Sequence, residues 1–184
     1  MKAEIKELFD FIEKSPTAFH AVENMKRTLK ESGFLELKET KAWHLEQGKK
    51  YFVCRNHSAL IAFCVPKKEA EGYHIAAAHT DSPAFKIKGS PEIKGSKDYV
   101  KLNVEKYGGM IVSSWFDRPL SAAGRVFIEE KEGISERLLH IDKDLFVIPS
   151  LAIHMDRKTN EGHPYQIQKE LLPIFSGKES DTLR

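Results

Sequence analysis

The chain has 184 residues, of which 41% are hydrophobic and 30% charged, and its 29 Lys and Arg residues nearly balance 27 Asp and Glu residues. The hydrophobic fraction excludes a disordered tail, and a formal net charge of +2 gives no electrostatic basis for a nucleic-acid-binding surface. The longest stretches without a charged side chain, residues 56–66 and 145–155, are shorter than the ~18 apolar residues of a membrane span. From the net charge we expect no nucleic-acid partner, and from the stretch lengths we expect no membrane partner.

Two helices are predicted at the start of the chain. Apolar side chains share one helical face between residues 4 and 13, whereas acidic residues stand where a secretion signal would be apolar, so we expect no such signal. Ser15 and Pro16 predict the cap and first residue of a second helix, which Gly33 ends. His20 is expected to be a partly exposed side chain of that helix. Its predicted apolar stripe comprises Ala18, Val22, Met25 and Leu29.

A short edge strand at residues 35–37 and then a β-hairpin are predicted next. Two apolar runs, residues 51–55 and 59–65, flank a turn centred near His57. This register places Cys54 opposite about residue 60 and Cys64 opposite about residue 50. The cysteines would then be about 13 Å apart along the strands, beyond the roughly 7 Å that a disulfide spans. The sequence therefore predicts two reduced, buried thiols and a cytoplasmic protein.

The fold class is predicted to be α/β. A strand is predicted at residues 73–78, and its wholly apolar run at residues 75–78, which ends at His79, is typical of a central strand covered on both faces. Two helices and a few strands within residues 1–88 are too few to complete such a sheet, so we expect further chain or a partner to complete it. Beyond about residue 90 the pattern is β. We therefore predict an amino-terminal part of an α/β domain at residues 1–89 and an antiparallel β-rich domain, itself incomplete, at residues 90–184.

The elements expected in this second region follow from alternating apolar residues. The last apolar segment, residues 166–175, is followed by a helix start at residues 180–183. Strands are predicted at residues 100–104, 109–116 and 124–129, with a further pair at residues 138–141 and 145–148 joined by a turn at residues 142–144.

The strongest candidate for chemistry is His79-Thr80-Asp81, directly after the predicted buried strand. Functional groups gather at the carboxyl ends of strands in open α/β sheets, and residues two apart in extended chain point the same way. A neutral histidine binds zinc and a nearby carboxylate orients it. The alternative is a strand-end turn in which Asp81 acts as a cap. The chain has no nucleophile elbow, phosphate-binding loop or paired-cysteine motif.

Two other segments are notable. Residues 115–120 form a dense aromatic and charged cluster that favours a hydrophobic plug with a turn at Arg118-Pro119. His154 closes an apolar run, which is more typical of a hydrogen-bonded core residue than of a catalytic one. Four more histidines lie beside charged or turn residues, where solvent exposure is expected: His44, His57, His140 and His163.

Four ordered blocks resemble the aspartyl aminopeptidase family, whose relatives include vacuolar aminopeptidase I. They are SPTAFHAV at 15–22, AHTDSP at 78–83, WFDRPLS at 115–121 with GRV at 124–126, and IPSLAIHM at 148–155. The resemblance implies a dinuclear zinc exopeptidase of α/β type with an inserted β-rich dimerisation domain. It further implies removal of N-terminal residues from peptides, acidic ones in several members, and assembly into large homo-oligomers.

The resemblance also implies roles for individual residues. His79 matches a metal ligand, in a site that takes two zinc ions or other divalent metals, and Asp81 matches the carboxylate that supports this ligand. His154 matches a histidine that reaches the active site of a neighbouring subunit. Many relatives have a histidine where this chain has Ser150.

The family pattern needs further residues after the insert, namely a bridging Asp, a Glu-Glu pair that includes the general base, another acid and a late His. None can be placed in this sequence, so we expect the 184-residue chain alone to bind zinc poorly and to hydrolyse nothing. One alternative is a non-enzymatic assembly or oligomerisation fragment. Another is a different metallohydrolase or deacylase, which the blocks at 115–121 and 148–155 disfavour.

Overall fold

The computed structural model describes residues 2–94 and 99–176. The chain divides into two compact units, one formed by Met1–Ser82 with Ala123–His140 and the other by Pro83–Ala122 with Ile141–Arg184. Both mix strands with short helices, which confirms a mixed α/β composition. No helix among the described residues is long and apolar enough to cross a membrane. The domain boundary at residues 89 and 90 stays a prediction, and the predicted helix start at residues 180–183 lies outside the described residues.

The first unit opens with the two predicted helices, α1 (Ala3–Glu13) and α2 (Ala18–Glu31). The predicted cap at Ser15 is wrong: Thr17 caps α2, because its side-chain oxygen accepts a hydrogen bond from the backbone amide of His20. His20 is buried, against expectation, and its ring lies edge-to-face with that of His140, with the ring centroids 6.0 Å apart. Gly33, with φ +80°, follows the end of α2 as predicted.

A three-stranded sheet follows, formed by β1 (Leu35–Leu37), β2 (Lys50–Arg55) and β3 (Ala59–Cys64). β1 is parallel to β2, and β2 and β3 form the predicted hairpin. The predicted register is confirmed, with Cys54 opposite Leu60 and Cys64 opposite Lys50, and both thiols are free. Cys64 is exposed and Cys54 is half-buried, so the predicted burial of both thiols is wrong. Cys64 lies on β3, an edge strand of this sheet, whereas Cys54 lies on the central strand β2.

The predicted buried strand at residues 73–78 is wrong. This segment has no strand structure, and Tyr73 and Ile75 are 90% and 87% exposed. A strand forms only where a neighbour supplies hydrogen-bonding partners, and no described strand pairs with this segment. The segment is thus apolar, as its sequence indicates, but no described residues cover it.

A second hairpin completes the first unit. It joins β4 (Ala123–Glu130) to β5 (Gly133–His140). Residues 138–140 therefore pair with β4 and not, as predicted, with residues 145–148. Arg125 of β4, whose side chain is 17% exposed, is the centre of a polar cluster. Its Nη1 donates to the carbonyl and side-chain oxygens of Asn56 at 3.2 Å and to Glu136 at 3.4 Å, and its guanidinium lies 4.2 Å from the Phe19 ring.

The second unit is built on an antiparallel sheet of β6 (Ala84–Lys94), β7 (Val100–Tyr107) and β8 (Ile174–Ser176). Its core is a cluster of Leu102, Val104, Phe146 and Leu172. A short helix, α3 (Ile167–Glu170), and two 3₁₀ turns, Val112–Trp115 and Thr159–Glu161, complete the described elements.

The predicted strand at residues 109–116 is wrong, and the predicted plug is supported. Val112–Trp115 form a 3₁₀ turn in which the Ser114 amide and hydroxyl both donate to the Ile111 carbonyl. These local hydrogen bonds compete with strand pairing. The Trp115 ring packs edge-to-face on Phe85 with centroids 5.1 Å apart. The predicted strand at 145–148 is reduced to isolated bridges at Phe146 and Val147.

Candidate functional site

His79 and Asp81 come together as the sequence predicts. The His79 Nδ1 atom is 2.7 Å from the Asp81 carbonyl oxygen and 3.2 Å from its carboxylate oxygen Oδ1. Because a carbonyl oxygen only accepts, Nδ1 must donate, and the lone pair of the neutral ring is then on Nε2. The His79 side chain is 81% exposed. This arrangement, with one ring nitrogen held by oxygen and the other free to face a ligand, is the one that metal-binding histidines adopt.

Thr80 fixes this segment to the first hairpin. Its hydroxyl donates a 2.8 Å hydrogen bond to the carbonyl of Ser58, in the turn between β2 and β3. The preceding residues 73–78 make no strand pairing. The hydrogen bond of Thr80 therefore ties the segment that carries His79 and Asp81 to the turn of the first hairpin.

The described residues do not by themselves form a zinc site. A catalytic zinc takes three protein ligands and a water, and no group of three or more His, Cys, Asp or Glu side chains within residues 2–94 and 99–176 is placed to hold a metal. His79 offers one nitrogen, with Asp81 behind it. The donor set fits part of a metal centre and no more, so no chemical step through a metal follows from this chain alone.

His154 belongs to the second unit, whereas His79 and Asp81 belong to the first. It lies in the His154 loop, residues 151–155, all of which are exposed. Exposure contradicts the expectation of a core histidine. A turn shapes the loop, in which the Met155 amide donates to the Ala152 carbonyl at 2.8 Å.

Asp117 holds the residue that precedes this loop. The Ser150 amide donates to Asp117 Oδ1 at 2.9 Å, and the Asp117 amide donates to the Ile148 carbonyl at 2.9 Å. Hydrogen bonds from the Ser150 hydroxyl and amide lower the pKa of Asp117 below its ordinary value. The backbone of Asp117 has φ +54°, a left-handed conformation that few residues other than Gly, Asn and Asp adopt.

His163 holds the residue that follows the loop. Its Nδ1 is 2.9 Å from Asp156 and its Nε2 is 2.6 Å from Glu170, and all three side chains are half-buried. With a carboxylate at each nitrogen, the ring satisfies both acceptors only as an imidazolium. Hydrogen bonding by the Gln166 amide and by His163 lowers the pKa of Glu170. The expectation of an exposed His163 is wrong. The sequence does not reveal the two contacts, because Asp156 and Glu170 are each seven positions from His163 in a stretch without regular periodicity.

A cavity of about 400 Å³ lies beside these two anchors in the second unit. Its walls include Asp117, Ser150, Leu151, Asp156 and His163. The cavity therefore adjoins both ends of the His154 loop.

Comparison with known sequences gives one family. The family model described as "Aminopeptidase I zinc metalloprotease (M18)" matches residues 11–183. The chain is 48% identical over 182 residues to the "Probable M18 family aminopeptidase 2" of Clostridium novyi, covering 95% of this chain and 42% of that protein. It is 44% identical over 180 residues to the "Aspartyl aminopeptidase" of Dictyostelium discoideum, covering 96% of this chain and 37% of that protein.

Solved structures of related proteins share the fold. A chain in the cryo-EM structure of the Ape4 and Nbr1 complex superposes with a TM-score of 0.88 at 40% identity, covering 95% of this chain and 34% of that one. The structure of Chaetomium thermophilum mApe1 gives 0.84 at 32% identity, with coverage of 95% and 40%. This chain thus spans less than half the length of each of these relatives.

Proposed function

The chain belongs to the M18 family of aminopeptidase I zinc metalloproteases, and from that premise we propose that it forms part of an aminopeptidase that removes N-terminal residues from peptides. In this proposal His79 supplies a zinc ligand through Nε2 and Asp81 orients the ring. His154 contributes to the active site of a neighbouring subunit in a cytoplasmic homo-oligomer. The names of the relatives support peptide hydrolysis, and that of the Dictyostelium relative supports a preference for N-terminal acidic residues.

One observation carries the assignment of His79. The Asp81 carbonyl fixes the proton of the neutral ring on Nδ1, which leaves the lone pair on Nε2 of a side chain that is 81% exposed. A structural turn of the kind considered as the alternative would use Asp81 as a cap. It would not require the imidazole to present a nitrogen to solvent.

The 184-residue chain by itself is proposed to be inactive. Its described residues provide one candidate ligand for zinc, and the zinc chemistry of the family, activation of water and polarisation of the peptide carbonyl, needs a complete centre. Hydrolysis by the purified chain that a chelator abolishes would contradict this part of the proposal.

Zinc titration of the chain alone tests the ligand. We expect weak binding that His79→Ala removes and His74→Ala leaves unchanged, because His74 is an exposed histidine of the same segment without this carbonyl contact among its described hydrogen bonds. Binding that survives His79→Ala would refute the assignment. Histidine ring signals in NMR spectra identify which side chain responds.

A chimera tests the activity. The matching 182 residues of the Clostridium novyi relative are replaced by this chain, which leaves the rest of that protein in place. We expect hydrolysis of peptides with N-terminal Asp or Glu, sensitive to chelators and lost in His79→Ala. A folded, zinc-loaded chimera without peptidase activity would refute the proposal. If the 184-residue chain also self-associates, the result would favour the alternative of a non-enzymatic assembly fragment.

A further inference from the structure

The His154 loop, residues 151–155, is not fixed by packing. All five residues are exposed, and the apolar side chains of Leu151, Ile153 and Met155 are among the exposed large hydrophobic groups of the protein. The internal turn at Ala152 shapes the loop but does not attach it to the second unit. Its direction must therefore come from the residues at its two ends.

Both ends are attached by side chains distant in the sequence. Before the loop, Ser150 is held by Asp117, which is also bonded through its own amide to the Ile148 carbonyl. After the loop, Asp156 is held by His163, which Glu170 supports from the other side. The loop is thus a short bridge between two polar anchors.

We propose that Asp117 is a positioning residue for His154: its carboxylate fixes Ser150, and thereby sets where the loop presents the histidine. This inference rests on the proposed function, in which His154 contributes to an active site. The left-handed backbone at Asp117, with φ +54°, is one that aspartate adopts more readily than most residues, so the position accommodates this side chain. The Asp117 carboxylate accepts a hydrogen bond from the Ser150 amide, and the Asp117 amide donates one to the Ile148 carbonyl. Asp117 thus holds the chain at two points just before the His154 loop.

Three substitutions separate the carboxylate from the backbone. Asp117→Asn keeps a side-chain oxygen that accepts from the Ser150 amide and tolerates positive φ. Asp117→Gly tolerates positive φ without an acceptor, and Asp117→Ala removes the acceptor without the added flexibility of glycine. If the acceptor is what matters, Gly and Ala behave alike and Asn resembles the original residue.

The first readout uses the 184-residue chain. We expect the Gly and Ala variants to lose exchange protection at the Ser150 amide, and the order parameters of residues 151–155 to fall below about 0.6, the range of flexible backbone. The Asn variant should retain both properties. Unchanged protection and order in the Gly and Ala variants would overturn the proposal.

The second readout uses the chimera with the Clostridium novyi relative. We expect kcat to fall roughly ten- to a hundred-fold in the Gly and Ala variants with KM unchanged, and to be restored in the Asn variant. A mobile loop with an unchanged kcat would overturn the positioning role. His154→Ala is measured in parallel: if it leaves kcat unchanged, the proposed function of His154 fails, whereas the exchange data still report separately on the Asp117 anchor.

Discussion

Replacing Arg125 should destabilise the first unit more than any ordinary surface substitution. The guanidinium donates to both oxygens of Asn56 and to Glu136, and it lies over Phe19, so it joins β4 to α2 and to the turn of the first hairpin. Hydrogen bonds to a charged group contribute about 1.5–3 kcal/mol, and a cation–π contact about 0.5–1 kcal/mol. Because one group makes all of these contacts, they do not simply add, and we expect Arg125→Met to lower the free energy of unfolding by about 2–4 kcal/mol.

The two tryptophans allow this effect to be measured within one unit. In a Trp115→Phe background, Trp43 is the remaining tryptophan and reports the first unit during urea unfolding. Arg125→Met keeps the aliphatic stem, so its effect isolates the guanidinium. Arg125→Lys keeps the charge without the planar guanidinium, so its free energy of unfolding should lie between that of the unchanged protein and that of Arg125→Met. A loss below about 0.5 kcal/mol in Arg125→Met, the size of a neutral surface substitution, would refute the reasoning.

Three further predictions concern the anchor of the metal segment, an acid-sensitive histidine and the second core. Thr80→Val should lower the zinc affinity of the chimera roughly tenfold, whereas Thr80→Ser keeps the hydroxyl and the affinity; equal affinities in a competition titration would contradict the tether. Burial and then the charge of His140 lower the pKa of His20 below its usual 6.5, so the folded protein binds the proton less readily than the unfolded chain. Stability is thus complete above about pH 6.5 and falls as the pH drops toward the folded-state pKa, and His20→Gln should flatten this slope in urea unfolding at several pH values; an unchanged slope would assign it to another group. Leu102→Ala should lower the free energy of unfolding of the second unit by about 2–5 kcal/mol, measured by Trp115 fluorescence in a Trp43→Phe background, and a loss under about 1 kcal/mol would mean that the core collapses around the missing side chain.

The elements predicted correctly depend on residues close in the sequence. The apolar face of α1, the glycine after α2 and the register of the first hairpin follow from helical periodicity and from a short turn. The same holds for His79 and Asp81, which are two positions apart and meet through a backbone carbonyl. Ordered blocks of residues identified the family, and the match over residues 11–183 confirms it.

The tertiary structure decided what depends on distant partners. The segment at residues 73–78, wholly apolar at residues 75–78, has the composition of a buried strand, yet strand formation needs a neighbouring backbone that no local pattern can supply. Asp117 meets Ser150 across 33 positions, and His163 contacts two carboxylates only because the fold brings Asp156 and Glu170 to its two nitrogens. Hydrogen bonds and ion pairs of this kind act over about 3 Å in space and leave no periodic trace along the chain.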